Sequence, residues 1–295
     1  MNKYLIFRTD RIGDFLLSMI LIKNIKRNDK KSYIVIVSSE KNYDYIKTFN
    51  IIDEVIKLKS NFFSRVGVVN QLRRHKFRLS IIHDGKNRSK FINFFIRKDK
   101  SIFINNDDLK SSHFSKIKNI INSMNFNFDS TDLNIIQNSN FSNKNKDFVI
   151  LHYDEKWSTK TYISEYKNIE PSDDQFLDFI NKIILKTHYN VVVTTGIATP
   201  AILKRILLKK DNNIELIEGL NFIELQEIVS QSKLLISCHG AISHVASAYN
   251  IKQIDIIDIN IKNPYSNWTD HFRNYYPIYR KNFKNLSAEI LSLLN

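Results

Sequence analysis

Two α/β domains in tandem, each a parallel sheet wound with helices, are expected for this chain of 295 residues. Three observations carry that expectation. Short β-branched runs alternate with helical spacings along most of the chain. The alternation stops in a polar stretch, 137–146, and then restarts. Glycines fall where strands give way to helices. A chain of this length buries a large core, and two domains fit it better than one.

The elements follow in order. Tyr4 to Phe7 is an apolar run of strand type, residues 8–14 are polar with one glycine, and Phe15 to Ile25 is almost continuously apolar, which reads as strand, tight loop and helix. Gly13 is expected to turn the backbone, and Asp14 stands where an N-cap carboxylate accepts from free helix N–H groups. Ligands of open α/β sheets bind at the carboxyl ends of strands, so this loop is the first candidate site, with a plain N-cap as the alternative for Asp14. Tyr33 to Val37 is a strand buried on both faces, followed by a helix near Glu40 to Thr48. Ile51 to Leu58 contains a strand, Phe62 to His75 has helical spacing, and Phe77 to His83 is a strand running into Asp84 and the turn glycine Gly85. Lys90 to Ile96 is helical, Ser101 to Ile104 a strand, and Ser111 to Met124 a helix.

After the polar stretch, read as a linker, strands are expected at Phe148 to His152, Asn190 to Thr194, Ile214 to Ile217, Leu234 to Ser237 and, last, Ile254 to Ile259. Helices are expected at Asp174 to Lys186, Pro200 to Leu208, Phe222 to Ser230, Ser243 to Ala248 and Ser287 to Leu294. Gly85, Gly196, Gly219 and Gly240, like Gly13, fall at strand-to-helix turns, and Gly67 does not.

Composition narrows the class. Hydrophobic residues at 43% and charged residues at 25% are ordinary for a soluble globular protein. The longest apolar run, Phe15 to Ile22, is too short to span a bilayer, and charges at Arg8, Asp10, Arg11 and Asp14 interrupt any secretory h-region. The single cysteine, Cys238, forms no internal disulfide and fits a reducing cytoplasm. The net charge of +14 favours nucleic acid, an anionic membrane or a phosphorylated substrate, unless it reflects a compositional bias of the genome. Basic residues read as dispersed through both halves, with clusters at 23–31, 73–78 and 86–90, and no nucleic-acid motif accompanies them. No nucleic-acid partner is expected.

In the second half, Val191 to Gly196 ends in small residues before Thr199 and Pro200 open a helix, so Thr195 and Gly196 offer backbone N–H groups to a phosphate. Neither GxGxxG nor GxxxxGK[ST] occurs, which argues against a dinucleotide or P-loop site. Leu235 to Ala248 is a buried strand, a turn of small residues and a helix that lets a ligand approach closely; it carries His239 and His244.

Arg8-Thr9-Asp10-Arg11-Ile12-Gly13-Asp14 before an apolar helix resembles the opening of the heptosyltransferase-type enzymes, glycosyltransferase family nine. His239-Gly240-Ala241 followed by His244 resembles the family's Asp-Thr-Gly-x-x-His, with an imidazole in place of the carboxylate. Asp154-Glu155-Lys156-Trp157 resembles its basic-residue-plus-Trp segment, and Glu218-Gly219-Leu220-Asn221 its turn beside the nucleoside. Phe77 to Arg88 and His113 to Met124 also look familial, so the likeness spans most of the chain.

That resemblance implies a GT-B fold, two Rossmann-like α/β domains facing each other across a cleft. Residues 1–140 would bind the acceptor and 147–295 the nucleotide sugar, with the last helix packing back on the first domain. Asp14 would be the catalytic base. Lys156, Thr195, Gly196, Glu218, Gly219, His239, Gly240, Ala241 and His244 would bind the donor, and Arg8, Asp10, Arg11, Gly13 and Arg88 the acceptor. The activity implied is inverting transfer of a sugar from a nucleotide-activated donor to a bacterial surface-polysaccharide or lipopolysaccharide-type saccharide, free or lipid-linked. No Asp-x-Asp motif or Cys/His ligand set is present, so no metal is expected, and the nucleotide sugar is a substrate rather than a cofactor. The expected location is the cytoplasm, with the inner face of the cytoplasmic membrane open to a peripheral, electrostatic contact. A nucleotide-sugar epimerase or hydrolase of the same fold, and a non-catalytic basic binding protein, remain as alternatives.

Overall fold

The structure, a computed structural model, describes residues 1–104, 111–130, 147–158, 170–207, 214–258 and 265–294. The expected linker at 137–146 lies outside the described residues. The chain forms two compact units. Met1–Asn138 with Ser266–His271 make the first, and Ser139–Tyr265 with Phe272–Asn295 the second.

In the first unit five strands run parallel: β1 (Lys3–Arg8), β2 (Tyr33–Ser39), β3 (Glu54–Leu58), β4 (Lys76–Ile82) and β5 (Arg97–Phe103), in the order β3-β2-β1-β4-β5. The helices are α1 (Ile12–Asn28), α2 (Tyr43–Ile46), α3 (Phe62–Leu72), α4 (Asn87–Phe94) and α5 (His113–Ser123). Leu5, Ile6 and Phe7 of β1 are fully buried, as are Phe15, Leu16, Leu17, Ile20, Leu21 and Ile22 of α1. A helix apolar all round must be covered all round, and each such Leu or Ile contributes about 1.5–3 kcal/mol of burial. The edge strand β5 opens Arg-Lys-Asp-Lys and is largely exposed; those charges discourage pairing with another chain.

The second unit has six parallel strands: β6 (Phe148–His152), β7 (Asn190–Thr194), β8 (Ile214–Ile217), β9 (Leu234–Cys238), β10 (Lys252–Ile257) and β11 (Tyr275–Tyr279), in the order β11-β10-β9-β6-β7-β8. Its helices are α6 (Asp173–Thr187), α7 (Ala201–Leu207), α8 (Phe222–Gln231), α9 (Ala241–Ala248) and α11 (Phe283–Ser292), while the short α10 (Ser266–Thr269) belongs to the first unit. Side-chain caps define the starts of α6 and α8. Ser172 and Gln175 exchange hydrogen bonds of 3.2 and 3.0 Å at α6, and Asn221 with Glu224 does the same at α8. At its other end α6 stops at His188, in the left-handed region at φ 58°.

Three features were not read from the sequence. The last strand is β11, beyond the run ending at Ile257; exposed tyrosines and Pro277 disguise it, and an edge strand tolerates both. The terminal helix α11 puts Phe283, Leu286 and Ile290 into the second unit's own core, against α6. Residues 266–271 join the first unit instead, where Trp268 lies against His113 at 4.9 Å and Asp270 accepts from Ser112.

In each sheet the order in which strands are added reverses near the centre. In the first, strands run outward from β1 through β2 to β3 and resume at β4 on the other side of β1. In the second they run from β6 through β7 to β8 and resume at β9. Such switch points open a crevice at the carboxyl ends of the strands, where α/β proteins bind ligands.

Candidate active site

At the first switch point, between β1 and β4, the loop after β1 is stapled to the loop after β4. Arg8, only 1% exposed, donates from Nε to the Asp14 carbonyl at 2.7 Å and from one terminal nitrogen to the His83 carbonyl at 2.9 Å; the same nitrogen lies 3.1 Å from the Asp10 carboxylate. Thr9 donates to Asp84 from its hydroxyl at 2.5 Å, and Ser89 donates to the same oxygen at 2.7 Å. Arg88 and Lys86 donate in turn to the Thr9 carbonyl at 2.6 and 3.0 Å. Gly85 makes this turn at φ 65°, which favours glycine.

The expected roles shift accordingly. Arg8 and Arg88, expected on the acceptor, are held by the turn itself, while Arg11 is exposed. Gly13 is buried inside the first turn of α1 and does not make the bend. Asp14 is the third residue of α1 rather than its N-cap, and its carboxylate reaches back to accept the Arg11 N–H at 3.3 Å. It is half-buried in the first turn of the helix. Burial raises the Asp10 carboxyl to about 6; Arg8 opposes the rise, and Asp14 and Asp84 add to it.

Two imidazoles stand behind this loop. His83 is fully buried, its Nδ1 is 2.8 Å from the Ser18 hydroxyl, and burial, then Arg8, His113 and Lys116, push its pKa well down. His113 is lowered to about 4 by burial, Arg8 and Lys116, against the pull of Asp14 and Asp270. Both are neutral imidazoles at pH 7. Sequence reasoning noticed His83-Asp84-Gly85 only as a strand end, although a carboxylate at that edge before a glycine was the available signal.

At the second switch point, between β6 and β9, a single 3-10 turn, Glu155–Trp157, follows β6. Asp154, nearly buried, accepts the Lys156 N–H at 3.1 Å and meets Lys156 Nζ at 3.0 Å. Burial pulls the Lys156 pKa down, but the Asp154 charge and hydrogen bond outweigh it, so the ammonium is stabilised. Trp157 anchors the turn by donating to the His152 carbonyl at 2.8 Å and stacking on Tyr153 at 4.9 Å. Two glycines make room for the turn. A Cβ on Gly240 would stand 2.7 Å from Lys156 Nζ, and one on Gly196 2.6 Å from Glu155. The ends of β6, β7 and β9 therefore meet around Lys156, with Thr195 buried beside Gly196.

After β9, His239 Nδ1 lies 2.6 Å from Asp255 on the neighbouring strand β10. Asp255, with 0% exposure, also accepts from Ser243 at 2.8 Å and Tyr275 at 3.0 Å. Three donors suit a buried carboxylate and orient the imidazole with its other nitrogen away from Asp255. His244 is buried, edge-on to Phe272 at 5.1 Å and 5.8 Å from the His239 ring, so it packs behind the turn that Gly240 and Ala241 form. Glu218 and Gly219 follow the edge strand β8, two strands from β6 and so roughly 10 Å away by strand spacing. Gly219 takes φ 68° there. Asp255 was missed because it belongs to no motif, and Asp154 stood in the Asp154–Trp157 segment without being read as the partner of Lys156. A lone Asp inside the apolar run Ile254 to Ile257 was the signal, since a buried carboxylate demands partners.

No protein-family model matches the chain, and no curated protein matches it. Solved structures do. E. coli heptosyltransferase WaaC with ADP-2-deoxy-2-fluoro heptose is similar over 99% of this chain and 99% of its own, with TM-score 0.72 and 10% identity. E. coli ADP-heptose lps heptosyltransferase II is similar over 100% and 98%, with TM-score 0.66 and 12% identity. The family 9 glycosyl transferase from Veillonella parvula is similar over 98% and 89%, with TM-score 0.64 and 11% identity. At such identities the likeness establishes the fold. This chain has the two-domain α/β fold of the heptosyltransferases, the GT-B class.

Proposed function

We propose that the chain is a glycosyltransferase that moves a sugar from a nucleotide-activated donor to a saccharide acceptor of the bacterial surface-polysaccharide or lipopolysaccharide type. The observation that carries this is Asp14, a carboxylate fixed in the first turn of α1 at the switch point of the first sheet. The whole-length likeness to WaaC, solved with an ADP-heptose analogue, supports the nucleotide-sugar class.

In this reading the acceptor hydroxyl attacks the anomeric carbon as Asp14 takes its proton. The bond from that carbon to the phosphate oxygen breaks, and the nucleoside diphosphate leaves with the electron pair. Attack opposite the leaving group inverts the centre. Proton transfer accompanies bond formation, as in general base catalysis. Lys156 and the N–H groups at the start of α9 take the diphosphate charge, the work a metal performs in other transferases. Asp10, raised to about 6, is the second choice for the base.

A screen of nucleotides and nucleotide sugars by thermal shift tests the donor half. A ligand at 100 times its dissociation constant adds about 2.7 kcal/mol of stability. Stabilisation by a nucleoside diphosphate is expected, and its loss in Lys156→Gln; indifference to every nucleotide contradicts the reading. Product analysis with and without acceptor separates transfer from the epimerase or hydrolase alternative.

A further inference from the structure

The excess of positive charge is not dispersed. Residues 55–98 hold twelve Lys or Arg and one carboxylate, Asp84, so this stretch supplies eleven of the chain's fourteen net positive charges. The same stretch contains α3 and α4, and these two helices leave an aromatic face uncovered. Phe63 is 86% exposed, Phe94 78% and Phe62 58%, and Val66, Phe91 and Phe95 are each about two-fifths exposed.

The five rings form one patch. Phe62 touches Phe91 across the two helices at 6.4 Å between centroids, Phe91 meets Phe95 at 5.1 Å, and Phe95 meets Phe94 at 5.1 Å. Only Val68, Val69 and Leu72 of α3, and Ser89, Ile92 and Asn93 of α4, turn inward. Basic side chains border the rings: Arg73 donates to the Phe95 carbonyl at 3.1 Å, Arg65 lies between Phe63 and Val66 on α3, and Lys90 and Arg97 flank the α4 phenylalanines in sequence. A monomeric protein rarely exposes so many contiguous rings without a use for them.

We propose that this face of α3 and α4 docks on an anionic lipid bilayer, with Phe63 and Phe94 entering the headgroup layer and the surrounding Lys and Arg meeting lipid phosphates. Aromatic residues on one side of a strongly basic helical surface are the signature of an interfacial, non-spanning contact. Charge also decides against a second copy as the occupant, because two such faces would bring like charges together. Among the described residues no helix is long and apolar enough to cross a membrane, which fits a surface contact.

The surface is linked to the candidate active site by α4 itself. Arg88, in the first turn of α4, grips Thr9 beside Asp10, while Phe94 lies six residues on, about 9 Å along the axis. A bilayer under α4 would bring a lipid-linked acceptor to the loop that carries Asp14. Docking does not depend on the transferase reading and is measured without substrate, so the two fail separately.

Flotation with vesicles of phosphatidylcholine alone, and of phosphatidylcholine mixed equally with phosphatidylglycerol, tests the proposal. The wild type is expected to float with the anionic vesicles only. The double variant Phe63→Ser/Phe94→Ser, altered at exposed positions and melting like the wild type, is expected to partition about tenfold or more weakly, since ring burial is lost. Phe63→Trp should blue-shift its emission on the anionic vesicles. Failure of the wild type to bind them, equal binding by the double Ser variant, or an unshifted Trp overturns the proposal. So does a wild-type dimer that the double variant makes monomeric while neither binds vesicles.

Discussion

At the first sheet's switch point a buried cation, Arg8, holds Asp10 by its side chain and Asp14 by its backbone, and both carboxylates are half-buried. At the second, two buried carboxylates, Asp154 and Asp255, hold Lys156 and His239. The backbone plan is the same in both units, and the charge arrangement is reversed. A parallel sheet supplies only a crevice and helix N-termini, which favour anions wherever they occur. In the proposed reading, the sign of the buried charge behind the half-buried one separates the proton acceptor of the first unit from the phosphate holder of the second. The first unit suits the loss of a proton to a carboxylate, and the second suits the holding of a diphosphate.

Removing the buried partner should break either arrangement most severely. Asp255→Ala leaves His239, Ser243 and Tyr275 without their shared acceptor, and Arg8→Met leaves Asp10 without its counter-charge. Each is expected to cost about 3–5 kcal/mol, the range for breaking a buried charge pair, measured by urea unfolding. In Asp255→Asn, nucleotide binding should weaken while the fold survives. A loss below about 1 kcal/mol for either truncation, typical of an exposed pair, would mean that the buried charge does not organise its turn.

The pH dependence of stability is the next largest effect. His113 has its folded pKa lowered from 6.5 to about 4, so the unfolded chain binds more protons between those values. Its contribution is complete above the ordinary value and is lost as pH falls toward about 4, at most about 3 kcal/mol by linkage. His152 in the second unit, lowered to about 4 by burial against the pull of Asp154, acts in the same direction. Asp10 has the opposite sign: its folded pKa is raised, so it destabilises as pH rises from 3.8 through about 6. His113→Gln should flatten the acid limb of the stability profile, and Asp10→Asn should raise stability above pH 6 relative to its effect below pH 4. Parallel acid limbs in wild type and His113→Gln would show that the imidazole is not held neutral.

Much of the fold is legible along the chain because both sheets are parallel and covered on both faces, so their strands read as continuous apolar runs. β6, β7 and β8 fall where those runs predict. β11 does not, because Tyr276 and Tyr279 are exposed and its Pro277 belongs to an edge. At the site, Asp14, Lys156 and His239 were legible as candidates because each stands in a motif, whereas what positions them was not. Asp255 comes beside the end of β9 only through strand pairing, in register with Ser237. Arg8 looked like a ligand-binding arginine; its burial at the end of β1 is a tertiary fact that no local pattern carries. The aromatic face of α3 and α4 was hidden for the same reason, since spacing marks apolar residues without saying which remain uncovered.

Turnover and nucleotide affinity measured together on Asp14→Asn test the division of labour between the two units most directly. Asparagine keeps the volume and the oxygen that accepts the Arg11 N–H, so stability should change by at most about 1 kcal/mol. Nucleotide affinity should remain near that of the wild type, because the residues proposed to bind the donor lie in the other unit. Turnover should fall by roughly 10²–10⁴, the contribution of a general base. A folded, nucleotide-binding Asp14→Asn protein that keeps more than about a tenth of wild-type turnover, well short of that loss, would contradict the assignment and pass the role to Asp10.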